Sequence, residues 1–123
     1  MNPRTPKTEL LPGHVVWADF SAGQGNEQQG RRPAVVLSTR RFQEKMGDLV
    51  IVAPISGTQR GWLSHVPVTF SEGKLAHPSW VMTEQIRTVS GSRLFDTVGR
   101  VDEKCFTLVR GWVRQHLGYY PQT

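Results

Sequence analysis

Glu27 and Arg32 stand five residues apart in the run Asn26-Glu27-Gln28-Gln29-Gly30-Arg31-Arg32-Pro33, a carboxylate and a guanidinium in a glycine-flanked polar stretch. Pro33 biases the backbone of Arg32 toward the extended form and fixes it at the entrance of an apolar strand. A guanidinium at a rigid strand edge is suited to hold an anion, because its planar fork of donors matches carboxylate and phosphate oxygens. The bare pattern reads equally as an exposed ion pair on a surface loop, worth about 0–1 kcal/mol. Other reactive residues offer less. His14, His65, His77 and His116 are widely separated, and no cysteine pair or H-x-x-x-H occurs, so no metal site is expected. No glycine-rich turn opens a helix to cradle phosphates, so no nucleotide cofactor is expected either. Cys105 falls among core-type positions, where an inert buried thiol is the better reading.

The elements that must position these residues are short. His14 to Phe20 is β-branched and aromatic and predicts a strand. Ser21 to Arg32 is polar with three glycines and reads as a long loop of the kind that carries function. Pro33 to Ser38 predicts a strand buried on both faces, residues 39–47 one short helical turn, and Asp48 to Ile55 a third strand. His65 to Phe70 and Trp80 to Val89 read as half-buried strands, with a short extended piece near Thr97 to Val101. Phe106, Val109, Trp112-Val113 and Leu117 recur at helical spacing behind Asp102, a good N-cap, and predict a helix over 103–116. Trp17 and Trp112 belong to core-type patterns. The sum is a barrel-like sheet closed by a terminal helix.

Composition bounds the class. With 123 residues, 37% hydrophobic and 20% charged, the chain suits one folded domain. Fifteen Lys and Arg against ten Asp and Glu give a net charge of +5, which favours a polyanionic partner but also suits plain solubility. A single cysteine argues against a disulfide-stapled secreted scaffold. No apolar run resembles a signal peptide or a membrane span, so a cytoplasmic protein is expected.

The run Gly25-Asn26-Glu27-Gln28-Gln29-Gly30-Arg31-Arg32-Pro33-Ala34-Val35-Val36-Leu37 closely resembles the motif of the MazF/PemK/Kid toxins, ribosome-independent endoribonucleases of toxin–antitoxin modules. Gly13 to Phe20 is similar to the family's first strand and Val52 to Gly61 to its second active-site loop. Glu84 to Val89 is similar to a late strand, and Val98-Gly99-Arg100-Val101 leads into a final helix. The resemblance spans roughly residues 13–117. It implies a mainly-β, SH3-like barrel of CcdB/PemK type with a C-terminal α-helix. The domain would occupy 13–118, between a flexible lead-in over 1–12 and a tail over 119–123. It also implies a homodimer, a cognate antitoxin, no cofactor, and metal-independent cleavage of single-stranded RNA, the messenger class first, at a short sequence. The products would carry a 2′,3′-cyclic phosphate and a 5′-hydroxyl.

Attack by a ribose 2′-OH needs a base, donors for the crowded phosphorane, and an acid for the leaving oxygen. Arg32 matches the family's catalytic arginine and suits charge stabilisation rather than proton transfer. Glu27 matches the loop glutamate, as base or as the group that orients Arg32 or the substrate. Ser56 stands where the family usually carries threonine, and its hydroxyl can still donate to a phosphate oxygen. Asn26, Gln28, Thr58, Glu84 and Gln85 fall at positions implied to lie near RNA, where amides and carboxylates read unstacked bases; Glu84 and Gln85 also suit a structural sheet edge. Met82 replaces an arginine found in some relatives, so no role of that arginine carries over. Arg60 and Arg87 would attract the RNA backbone or stand as solvated charges. Trp62 would stack a base or, in the commoner behaviour of tryptophan, cover an interface or pack locally. His65 suits proton transfer, but the family site does not require it. The rival functions on the same fold are a CcdB-like gyrase poison and a degenerate RNA binder.

Overall fold

The computed structural model describes residues 10–21 and 30–118. Its strands are β1 (His14–Asp19), β2 (Arg31–Val36), β3 (Leu49–Ser56), β4 (His65–Pro67), β5 (Phe70–Gly73), β6 (Trp80–Met82), β7 (Arg87–Ser90) and β8 (Leu94–Val101). Helix α1 (Arg40–Lys45) follows β2, and α2 (Glu103–His116) closes the described chain. All pairings are antiparallel, in one eight-stranded sheet ordered β4-β6-β3-β2-β1-β8-β5, with β7 also on β3. The expected mainly-β fold with a C-terminal helix is therefore present.

Strands β4 and β5 lie at opposite ends of that order, yet only Val68 and Thr69 separate them in the chain. The sheet must curl until its two edges meet, and the result is a strongly bent half-barrel. Alternation along the strands then feeds two cores. Val16, Ala18, Ala34, Val36, Val50 and Val52 bury one face with Phe20 and Leu10. Val15, Val35, Ala53, Ile55, Val66 and Val81 bury the other, against Cys105 and Val109 of α2. The near-continuous apolar run in β2 is explained by this: its neighbours point into different cores. Helix α2 starts where the sequence indicates, with the Asp102 carboxylate accepting the Cys105 N–H at 2.8 Å.

Four local expectations change. Trp80 to Val89 is not one strand: β6 and β7 both pair with β3, and Thr83–Gln85 is looped out between them as a 3-10 turn. Pro54, which has no N–H to give a ladder, stands in β3 at that change of partner. His65 to Phe70 likewise splits into β4 and the start of β5, because the chain crosses there between the two sheet edges. Leu10, placed by sequence in the loose lead-in, is 1% exposed and its carbonyl accepts from Gln43 Nε2 at 2.7 Å. Trp17 is 40% exposed rather than core, since its face of β1 runs out beyond the helix-covered cluster. Among the described residues no helix is long and apolar enough to cross a membrane.

Candidate functional site

The first polar loop is fastened at both ends. The Ser21 N–H donates to Asp19 Oδ1 at 2.9 Å, and this bond, ahead of Arg93 and Arg31, holds the Asp19 carboxyl below its ordinary range. Gly30 re-enters the sheet with φ +81°, a left-handed conformation that glycine adopts without strain, and its carbonyl accepts from the Phe20 N–H at 2.8 Å. Asn26, Glu27 and Gln28 lie outside the described residues.

Arg32 follows that closure. It sits opposite Ala18 of β1, while Ala34 sits opposite Pro54 of β3. Ser56 ends β3, two residues beyond Pro54. Ser56 pairs with Trp80 of β6, and Trp80 with Pro67 of β4. Paired residues of an antiparallel sheet point to the same side, so Ser56, Trp80 and Pro67 form one row across three strands. At about 4.8 Å per strand step the row runs about 10 Å. Arg32 also borders a cleft shared with Trp17, Pro33, Ile55 and His77.

Ser56 is 3% exposed, and its Oγ accepts the Thr58 N–H at 3.1 Å. The hydroxyl thus sets the turn into the exposed loop that carries Thr58 and Arg60, a side-chain-to-backbone bond of the kind that organises turns. Arg87 lies 4.3 Å above the ring of Phe20 and is engaged in that stack. Met82 is completely buried and serves as core.

The other polar centre is the 3-10 turn, which carries Glu84 and Gln85. His65 is 4% exposed, and its Nε2 lies 2.9 and 3.0 Å from the two oxygens of Glu84. A ring nitrogen facing two carboxylate oxygens carries a proton, so Nε2–H donates to Glu84. Nδ1 is buried with no hydrogen-bond partner among the described residues. Beside it, the fully buried Thr83 donates its hydroxyl to the Ser64 carbonyl at 2.7 Å and meets His116 Nε2 at 2.9 Å. That bridge ties the last turn of α2 to the turn that carries Glu84. The sequence gives no sign of either contact, since the partners lie 19 and 33 residues apart. Trp62, 54% exposed, faces His65 with ring centroids 4.8 Å apart. Among the described residues no three of His, Cys, Asp and Glu gather as metal ligands.

The family described as "PemK-like, MazF-like toxin of type II toxin-antitoxin system" matches residues 11–117. The chain is 34% identical over 110 residues to the endoribonuclease MazF of Staphylococcus saprophyticus, covering 88% of this chain and 91% of that one. The crystal structure of MazF from Deinococcus radiodurans superposes with a TM-score of 0.75 at 28% identity, covering 97% of this chain and 99% of the other. A MazE–MazF structure from the same organism shares the fold, with a TM-score of 0.71 at 24% identity over 98% and 99% of the two chains. The chain belongs to the PemK/MazF toxin family.

Proposed function

We propose that the protein is a sequence-specific, metal-independent endoribonuclease toxin that cleaves single-stranded RNA. The observation that carries this reading is the match to the toxin family over residues 11–117, a span that includes Arg32. The geometry supports it: Arg32 is held in β2 opposite Ala18 and lines a cleft with Trp17 and His77. A phosphate in that cleft meets a guanidinium whose backbone is fixed by the sheet and by Pro33, so little reorganisation is needed as charge develops.

In the reaction the 2′-oxygen bonds to phosphorus, the P–O5′ bond breaks, the 2′ proton passes to Glu27, and the leaving O5′ takes a proton from water. Cyclic-phosphate and 5′-hydroxyl ends result. Arg32 stabilises the phosphorane and Ser56 shapes the loop from which Thr58 and Arg60 meet the backbone. Asn26, Gln28, Glu84 and Gln85 read the bases, and Arg87 supports the Phe20 side of the rim. The working unit is a homodimer in the cytoplasm, and a cognate antitoxin covers the same basic surface. Incubation of the protein with a long single-stranded RNA in excess EDTA, followed by mapping of the ends, tests the reading. Cyclic-phosphate ends at a repeated short sequence support it. Intact RNA overturns it, and gyrase inhibition with intact RNA would instead mark a CcdB-like poison.

A further inference from the structure

The cleft that Arg32 borders has a volume of about 290 Å³, and part of its wall comes from the segment 74–79, which links β5 to β6 and contributes His77 and Ser79. An ideal Cβ on Gly57, the residue after β3, would lie 4.0 Å from the Pro78 carbonyl oxygen, so this segment rests against the end of β3. It is also pinned from within. The Val68 N–H donates to the Ser79 carbonyl at 2.9 Å, and the Ser79 hydroxyl donates to the His77 carbonyl at 2.9 Å. Pro78 biases the His77 backbone toward the extended form, as Pro33 does for Arg32. His77 is therefore an exposed residue on a constrained backbone, lining the same cleft as Arg32.

That cleft otherwise lacks a proton donor for the second half of the reaction. Expulsion of O5′ generates an alkoxide, a base comparable with hydroxide, whose conjugate acid water has a pKa of about 15.7. A positioned acid at that oxygen lowers the barrier. Arg31 and Arg32 also line the cleft, but a guanidinium does not release its proton. Arg31 is moreover stacked 4.6 Å over the Phe95 ring, and the Ser79 hydroxyl is committed to the His77 carbonyl. Imidazole is the side chain that both holds and gives a proton near neutral pH, and His77 is the one histidine among the described residues that line the cleft. An in-line displacement sets the entering and leaving oxygens on opposite sides of phosphorus, so its base and its acid come from different directions. Glu27 belongs to the loop that leads into β2, whereas His77 comes from the link between β5 and β6.

We propose that His77 is the general acid of the cleavage step. The inference rests on the ribonuclease reading and adds to it a catalytic residue. As the P–O5′ bond breaks, its electron pair stays on O5′, and the protonated imidazole passes its N–H proton to that oxygen. The neutral ring then takes up a proton from water, which remains the ultimate source. Arg32 stabilises the phosphorane throughout and gives up no proton.

The test measures single-turnover cleavage by the full-length protein, in EDTA, of one RNA carrying the mapped cut site in two forms. One form is native, and in the other sulfur replaces the bridging O5′ at the cut. A thiolate leaves without being protonated, because thiols ionise near pH 8.5, a value of about 7 units below water. His77→Ala and His77→Gln are both expected to cleave the native RNA about 10²–10⁴-fold more slowly than wild type. Both should cleave the sulfur form at the wild-type rate, which also shows that the site is intact. Glutamine keeps an N–H donor but no transferable proton, so it should rescue nothing. Variants that cleave native RNA as fast as wild type overturn the assignment while the nuclease reading stands. Equal slowing on both forms, or rescue by glutamine, makes His77 a phosphate contact and also overturns it. A wild type that leaves both forms intact removes the nuclease reading itself.

Discussion

Thr83→Val isolates the bridge between α2 and the turn that carries Glu84. Thr83 is completely buried, and its hydroxyl makes two bonds: one to the Ser64 carbonyl at 2.7 Å and one with His116 Nε2 at 2.9 Å. Valine keeps the shape and removes both. Each neutral bond contributes about 1 kcal/mol, and leaving the Ser64 carbonyl short of a donor adds about 1 kcal/mol more. The new methyl recovers about 0.8 kcal/mol of apolar burial. The net expectation is a loss of about 2 kcal/mol. With a urea slope of about 2 kcal/mol/M for a small domain, the midpoint should fall by about 1 M at unchanged slope. Thr83→Ser, which keeps the hydroxyl, should lose less than half of that. Urea unfolding followed by circular dichroism, at one fixed protein concentration, reads both variants. Valine with a midpoint equal to or above that of serine would refute the bridge.

Three further outcomes follow from the fold. The Asp102 carboxyl is held below its ordinary value of 3.8, first by the Thr69 side chain and then by the Cys105 N–H. A depressed carboxyl stabilises above the unfolded value and is lost as pH falls through the folded one. Stability should therefore decline below pH 3.8, with a shallower decline in Asp102→Asn, measured by urea midpoints across the acid range. Gly99→Ala should destabilise by about 1–3 kcal/mol or detach β5, because a Cβ there would stand 2.1 Å from the Glu72 carbonyl oxygen and 2.8 Å from Gly73 Cα; a wild-type melting temperature would contradict the close approach. Burial raises the Cys105 thiol above its ordinary value. It should react with a thiol reagent only when urea unfolds the chain, and rapid labelling of the native protein would contradict this.

Much of the fold was legible because local signals agreed with one another. Helix α2 shows its apolar spacing and its N-cap in the same stretch, and β1 to β3 are β-branched runs bounded by glycine or polar turns. The division of Trp80 to Val89 was not legible, because it depends on which part of β3 each half meets. Pro54 was the one local hint of it. Trp17 and Leu10 misled for a related reason: what covers a side chain is decided by distant strands and by where a helix ends.

The site was legible only in part. Arg32 and Ser56 came from a motif, and the pairing of Ser56 with Trp80 exists only once the register of β3 and β6 is fixed. The His65–Glu84 pair and the Thr83 bridge join residues with no periodic relation, so no spacing rule could reach them. Ser56 reads differently in the fold than in the sequence, as the residue that turns the loop.

The most direct measurement is the single-turnover cleavage rate of Arg32→Ala and Arg32→Lys against wild type on one defined single-stranded RNA, in EDTA, with far-ultraviolet circular dichroism confirming equal folding. Removal of a preorganised transition-state donor should slow Arg32→Ala by about 10²–10³-fold. Lysine, a point charge without the planar fork, should recover only part of that rate. A folded Arg32→Ala that cleaves as fast as wild type would contradict the account.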